Sequence, residues 1–92
     1  MEYEWNAAKN AANWREHRTD FQAVENFEWD TAITDVDDRE AYDELRQRAI
    51  GFIGQSLYVL IFTHRDDRIR VISLRKAEKP EQRYYVDETR NR

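Results

Sequence analysis

The side chains best suited to chemistry in this sequence are arginines in its second half. Six of them belong to three adjacent predicted strands and their turns: Arg46, Arg48, Arg65, Arg68, Arg70 and Arg75. A guanidinium stays charged at any relevant pH and binds phosphate through two parallel hydrogen bonds. The pattern therefore suits a phosphate-binding surface. It suits equally a surface on which these arginines pair with the protein's own Asp and Glu side chains.

Proton transfer needs other residue types, and the predicted helices carry them. Cleavage of RNA without a metal requires deprotonation of the 2′-hydroxyl, stabilisation of the phosphorane and protonation of the 5′-oxygen. Lys9, Asn13 and His17 recur at four-residue spacing and form a polar stripe on the first predicted helix. His17 can instead cap the end of that helix. Tyr84 on the last helix can stack on an RNA base or anchor the helix.

Metal and cofactor sites are not expected. The chain has no Cys and only two His, which excludes disulfides and cysteine-based zinc sites. We interpret the carboxylates of two predicted turns, Asp35-Asp37-Asp38 and Asp66-Asp67, as solvated. The sequence has no glycine-rich phosphate loop.

Length and composition predict a single domain over residues 1–92, because the chain is too short for two cores. The net charge of −4 is unevenly divided: residues 1–45 hold 4 Lys/Arg and 13 Asp/Glu, whereas residues 46–92 hold 11 and 6. The two halves can pair with each other, or the basic half can bind an anion. No signal peptide is apparent, and the longest apolar run, Leu57–Phe62, is too short to cross a membrane. We therefore expect a cytoplasmic protein with no membrane partner.

Hydrophobic spacing and capping residues predict an α+β fold. A helix should run from the N-cap Asn6 to about His17, with an alanine face packed on the sheet, and a second short helix should follow Asp20. A small, mostly antiparallel sheet should carry these two helices on one face, and a C-terminal helix should begin near Pro80. The predicted strands are Glu2–Trp5, Thr31–Thr34, Arg46–Ile53, Leu57–Thr63 and Arg68–Arg75, with an acidic loop at Asp35–Glu40.

The arginines of the last predicted strand raise a geometric problem. Strict alternation along Arg68–Arg75 puts Arg68 and Arg70 on the face opposite Arg75. All three can converge only if a β-bulge intervenes or if one of them lies at the strand edge.

Two stretches resemble the BrnT toxin family. The first is Trp5-Asn6-x-x-Lys9-x-x-x-Asn13-x-x-x-His17, followed by Phe21, Ala23, Phe27 and Asp30. The second combines Glu44-x-Arg46, Ala49-Ile50-Gly51, Phe62-Thr63-x-Arg65 and the run from Arg68 to Ala77, with Glu81, Arg83 and Tyr84 after it. The chain departs from the family pattern at Asn6, Glu16, Leu74 and Arg18-Thr19-Asp20, where Gly-Val-Ser is usual, so this turn must be built differently.

The resemblance implies a RelE-like fold and a metal-independent ribonuclease toxin that inhibits translation and growth. It also implies neutralisation by a BrnA-like antitoxin with a ribbon-helix-helix end, through which alone the complex binds operator DNA. The catalytic candidates are Arg46, Arg65, Arg70, Arg75, Lys9 and His17. Further RNA contacts are expected from Arg48, Arg68, Lys76, Arg83 and Tyr84. The alternative is a non-catalytic RelE-like partner or co-repressor that acts only through antitoxin binding.

Overall fold

The computed structural model describes residues 1–39 and 44–90 as an α+β arrangement of strands and helices. The strands are β1 (Glu2–Glu4), β2 (Ile33–Val36), β3 (Gln47–Ile53), β4 (Ser56–Arg65) and β5 (Arg68–Lys76). The α-helices are α1 (Ala7–His17) and α2 (Lys79–Arg90), and 3₁₀ helices cover Phe21–Asn26 and Trp29–Thr31. Glu40, the end of the predicted acidic loop, lies outside the described residues.

The strands form one sheet in the order β1-β5-β4-β3-β2. The meander β3-β4-β5 is antiparallel, and β2 adds to β3 in the same sense. In contrast, β1 pairs with β5 in parallel, so the sheet is mixed. A parallel pair cannot be closed by a tight hairpin. Here the chain leaves β1 and forms α1, β2, β3 and β4 before β5 pairs with β1.

Strand β2 differs from its predicted form. It begins two residues later than expected and takes in Asp35, which we had interpreted as a solvated turn residue. The register sets Asp35 opposite Arg48 of β3. The carboxylate therefore belongs to the sheet, and its cross-strand partner is a cation.

One face of the sheet, which we call the core face, carries the larger apolar cluster. The 3₁₀ helix after Asp20 covers it with Phe21 and Val24, both fully buried. At Gly51 on β3 the covering residues come very close, since a Cβ atom there would lie 2.7 Å from the Phe27 ring and 2.9 Å from Ala32. The sheet residues of this cluster are Ala49, Leu60, Phe62, Ile69, Val71 and Leu74.

Helix α2 lies over one end of the opposite face. Its buried residue Tyr85 packs edge-on against Phe52 at 5.7 Å, and its hydroxyl donates to the carbonyl oxygen of Thr31 at 2.9 Å. Ile50 and Val59 complete a second, smaller cluster with it. The other end of this face is not covered by α2. Neither described helix has the length and apolar character needed to span a membrane.

Helix α1 packs differently from our prediction. Its alanines, Ala7, Ala8, Ala11 and Ala12, are all exposed, and the buried residue is Asn13. The Asn13 amide donates to the carbonyl oxygen of Leu74 at 2.7 Å and accepts from the Leu74 N–H at 3.3 Å. The helix thus lies along the edge of β5 beyond the end of β1. The edge of a strand presents unpaired backbone groups, which an amide can satisfy and an alanine face cannot.

Candidate nucleic-acid interface

A β-bulge in β5 resolves the problem of its arginines. Ile61 of β4 lies opposite Ser73, but the next residue, Phe62, lies opposite Val71, so Ile72 is an extra residue. The bulge inverts the alternation and turns Arg70 and Arg75 to the same side, away from the core face. Of the two predicted solutions, a β-bulge or an arginine at the strand edge, the chain adopts the bulge.

The predicted arginines gather on the face opposite the core, which we call the arginine face. Arg70 lies across from Thr63 of β4, and Arg65 lies across from Arg68 at the end of the same hairpin. Arg48 lies across from Ile61. The ladder between β2 and β3 continues to Arg46, whose carbonyl oxygen accepts from the Asp37 N–H at 2.9 Å. Alternation then sets the side chains of Arg46 and Arg48 on the same face.

Most of these arginines are bound by carboxylates of neighbouring elements. Arg70 donates to Glu4 at 2.6 Å, and Arg48 donates to both oxygens of Asp35 at 3.0 and 2.6 Å. Further pairs are Arg68 with Glu2 at 3.1 Å, Arg65 with Glu44 at 3.5 Å, and Arg75 with Glu81 at 2.8 and 2.6 Å. Four of these five carboxylates belong to the acidic half of the chain. The two halves do pair across the fold, as one of our interpretations held.

Two guanidiniums keep a donor edge in spite of their partners. Asp35 binds Arg48 through Nε and Nη2, whereas Glu81 binds Arg75 through Nη1 and Nη2. The Nε of Arg75 forms no hydrogen bond to any residue in the described ranges. Because a guanidinium has two fork-shaped edges, Arg75 can hold Glu81 on one edge and an anion on the other.

The paired charges shift the pKa values of both partners. The hydrogen bonds from Arg75 hold the pKa of Glu81 below its ordinary value, against the opposing effect of burial. The same bonds raise the pKa of Arg75. Asp37 likewise has a lowered pKa, first through its hydrogen bonds with Arg39 and further through the charge of Arg46. These groups are therefore charged at neutral pH.

Arg75 stands between two depressions of the surface. One, of about 290 Å³, is formed by β2, β3, β4, β5 and the start of α2, with Arg48, Ser73 and Glu81 among its walls. The other, of about 490 Å³, lies between the end of α1 and the start of α2, and we call it the α1–α2 groove. Its walls are His17, Arg18, Thr19, Tyr58, Arg75, Lys76 and Glu78. Of the predicted site residues, Arg75, Lys76 and His17 are thus brought together.

Other predicted residues are spread more widely. Lys9 is exposed on α1, about 12 Å from His17 along the helix axis at 1.5 Å per residue. Arg83 lies on the outer side of α2 beside Val86 and Arg90. Arg65 and Arg68 are at the far end of the β4-β5 hairpin. Tyr84 joins the site, since the Arg48 guanidinium lies 5.4 Å from its ring centre.

The carboxylates that pair with the arginines, and Arg18, were not among the predicted site residues. For Glu81 a signal exists, because an acidic residue three positions after a helix N-cap can accept the N-cap N–H. Glu81 does so from the Glu78 N–H at 2.8 Å. For Asp35 the signal is the alternation shared with Arg48, which becomes useful only once the strand register is known. Arg18 adopts a left-handed backbone conformation, and the available signal is that it stands where the family pattern usually has Gly.

No group of three or more potential metal ligands occurs within residues 1–39 and 44–90. Residues 5–81 match the family described as "Ribonuclease toxin, BrnT, of type II toxin-antitoxin system". No curated protein matches the chain. The matched range begins directly after β1 and includes α1, the whole meander and Glu81, and therefore contains the arginines of the arginine face.

Proposed function

Because the chain belongs to the BrnT family of ribonuclease toxins of type II toxin–antitoxin systems, we propose that it cleaves RNA on the arginine face without a metal ion. In this proposal the fold is RelE-like, and cleavage in the cytoplasm stops translation and growth. A BrnA-like antitoxin with a ribbon-helix-helix end neutralises the toxin and carries the complex to operator DNA.

The observation that carries the proposal is the bulge in β5. It aligns Arg70 and Arg75 on one face with Arg46, Arg48 and Arg65, which gives an extended cationic strip for consecutive phosphates. Asp35 and Glu4, which pair with Arg48 and Arg70, belong to the two edge strands of the sheet. Bidentate arginines are the groups best suited to phosphate recognition.

Arg75 is our candidate for stabilising the phosphorane. Its side chain is 24% exposed and is fixed by Glu81, so its free edge is oriented before substrate binds. His17, at the same groove, is the candidate base for the 2′-hydroxyl, since histidine is the side chain that most often serves as a general base. Its exposed fraction of 28% leaves it accessible to substrate.

The remaining predicted residues have supporting roles in the proposal. Arg46, Arg65 and Arg70 contact flanking phosphates, and Lys9 contacts a phosphate beyond the scissile one. Tyr84 offers its ring to a base beside Arg48. Arg68, Lys76 and Arg83 strengthen the overall attraction for RNA.

A second candidate function is supported by the ion pairs. Five arginines of the face already bind carboxylates. A non-catalytic partner or co-repressor would need this surface only for stability and antitoxin binding. Expression without an antitoxin separates the two functions, because only the ribonuclease arrests bacterial growth.

The direct test is cleavage of RNA by the purified protein in excess EDTA. We expect activity to persist in the chelator. Arg75→Lys should fold normally yet lose about 10²–10³ in rate, or about 2.7–4 kcal/mol of barrier, because Lys keeps the charge but lacks the fork.

Arg15→Ala is the matched control, since Arg15 is exposed on α1 and belongs to none of the described ion pairs. It should cleave at the wild-type rate. Loss of activity in EDTA with recovery in magnesium, or full activity of Arg75→Lys, would contradict the proposal.

A further inference from the structure

We propose that the α1–α2 groove is the place where the RNA backbone is seated, and that Arg18 is an additional RNA-binding residue. This rests on the proposed function and deepens it, since Arg18 is absent from the motifs that identify the family. In this proposal Arg75 and Arg18, which lies in the turn after α1, both contact the RNA backbone in the groove.

Charge separates the two depressions that Arg75 borders. The depression beside β2 has three arginines on its walls but four carboxylates, namely Asp35, Asp37, Asp38 and Glu81. The α1–α2 groove has Arg18, Arg75 and Lys76 in addition to His17, and its only carboxylate among the described residues is Glu78. A phosphate is attracted to the second site and repelled by the carboxylates of the first.

The groove is also the larger of the two, at about 490 Å³ against about 290 Å³. Glu81, which accepts hydrogen bonds from Arg75, borders only the smaller one, and the groove contains instead the weaker partner Glu78, whose carboxylate lies 3.9 Å from Arg75 Nη1. The available Nε of Arg75 is the donor that a phosphate oxygen requires.

Arg18 reaches the groove through an unusual backbone conformation. It follows the last residue of α1 with φ 55° and ψ 34°, in the left-handed region. Its N–H donates to the Trp14 carbonyl oxygen at 2.8 Å, which ends the helix. An L-residue other than Gly or Asn costs about 1 kcal/mol in this region. Residues kept in costly conformations cluster at functional sites.

The Arg18 side chain is held in place without being neutralised. Its guanidinium lies 5.9 Å from the ring centre of Trp14, an indole that is 49% exposed. It forms no ion pair with any described carboxylate. Among the arginines that border the groove, Arg75 shares its charge with Glu81, whereas Arg18 offers its full charge to a ligand.

Two carbonyl oxygens at the end of α1 are already hydrogen-bonded. The carbonyl oxygens at the end of a helix carry its negative partial charge. The Trp14 oxygen is bound by the Arg18 N–H, and the His17 oxygen accepts from the Thr19 hydroxyl at 3.2 Å. The start of α2, with the opposite partial charge, borders the groove at Glu78.

Arg18→Gly is the decisive variant, because its expected effects on stability and on binding have opposite signs. Glycine adopts the left-handed conformation without cost, so the melting temperature should stay level or rise. Affinity for a 2′-O-methyl RNA, which cannot be cleaved, should fall about tenfold. The slope of log K against log salt concentration should become shallower by about one phosphate contact.

Two controls complete the experiment. Arg18→Lys should retain most of the affinity because it keeps the charge, and Arg15→Ala should match wild type because its cation lies on the exposed outer side of α1. Unchanged RNA affinity and salt slope in Arg18→Gly would overturn the inference. So would a variant that loses affinity for the antitoxin but not for RNA, since the groove would then belong to the antitoxin.

The two proposals fail in different ways. If wild type cleaves RNA and Arg18→Gly binds and cleaves equally well, the inference is overturned and the ribonuclease function stands. If wild type binds the 2′-O-methyl RNA in an Arg18-dependent manner but never cleaves unmodified RNA, the groove is supported and the ribonuclease function is contradicted.

Discussion

At the scale of single residues, the carboxylates of this protein orient its arginines. A free arginine must lose side-chain entropy when it binds phosphate. Glu81 removes that cost for Arg75, and Asp35 does the same for Arg48. Paired arginines are therefore compatible with anion binding wherever one edge of the guanidinium is left over.

Lys9 and His17 can be separated by mutation. We expect Lys9→Ala to lower RNA cleavage only a few-fold with no change in melting temperature, because Lys9 is exposed and distant from the groove. His17→Ala should lower cleavage by about 10²–10⁴, the usual contribution of a general base. Rates and melting curves of the two purified variants, measured side by side, check this.

A large loss of rate in Lys9→Ala would contradict its assignment as a distant phosphate contact. Full activity of His17→Ala would contradict its assignment as the general base. His17→Ala must also keep its melting temperature within a few degrees of wild type. A joint loss of stability and rate would assign His17 to the structure of the turn that contains Thr19.

The residue types of the site could be predicted from the sequence, but their partners could not. The sequence shows the arginines between positions 46 and 75 on predicted strands and their turns. It also shows the excess of Asp and Glu in the first half of the chain. That Glu4 binds Arg70 depends on the parallel register of β1 with β5, which joins residues 66 positions apart. No local pattern encodes such a register.

At the scale of elements, the edge of β5 determines how α1 packs. The helix was predictable from Asn6, whose side chain accepts the Lys9 N–H at 3.0 Å. Its orientation was not, because alanine spacing pointed to an apolar contact. The unpaired N–H and carbonyl oxygen of Leu74 require polar partners, and Asn13 is the residue that provides them.

Asn13→Ala should therefore be strongly destabilising. It would leave the Leu74 N–H and the carbonyl oxygens of Leu74 and Thr19 without their partner. We expect a loss of about 2–4 kcal/mol in the free energy of unfolding, measured by urea denaturation. Ala11→Ser, on the exposed side of the same helix, should change it by less than about 0.5 kcal/mol.

A loss below about 1 kcal/mol for Asn13→Ala would mean that water replaces the amide and that the helix is not fixed by it. Asn13→Asp is informative as well, because a carboxylate can accept from the Leu74 N–H but cannot donate to the two carbonyl oxygens. It should rescue little of the loss.

At the scale of the whole molecule, the charge asymmetry of the sequence becomes a set of pairs across the sheet. The α+β class and the antiparallel meander followed from periodicity and turn residues. The parallel position of β1 did not, since a three-residue strand has too few side chains to show a preference. A bulge in β5 was predicted only as one way in which Arg68, Arg70 and Arg75 could converge on one face.

Stability should fall in acid because of Glu81 and Asp37. Both have pKa values lowered in the folded protein, from 4.5 and 3.8 respectively, so the unfolded chain binds protons first. The stabilisation that these two charged carboxylates contribute is present at neutral pH. It is lost as the pH falls through their pKa values in the folded protein. We expect the free energy of unfolding by urea to be smaller at about pH 3.5 than at about pH 7.

The variant Glu81→Gln isolates one of these contributions. It should be less stable than wild type at neutral pH and should show a smaller further loss on acidification. Glu25→Gln, which removes an exposed carboxylate outside the described ion pairs, is the control and should parallel wild type. Parallel curves for Glu81→Gln and wild type would contradict the assignment.

The pairing of β1 with β5 has a consequence for the time at which the protein becomes active. Tyr3 pairs with Ile69, and Asn13 binds Leu74, so β1 and α1 have no strand to join until β5 has been made. At about 5–20 residues per second, a ribosome needs roughly 3–13 s to supply the 66 residues between Glu4 and Arg70. The groove at Arg75 closes still later, because its wall includes Glu78. A nascent chain of this protein therefore cannot assemble the α1–α2 groove while it is still being elongated through β5.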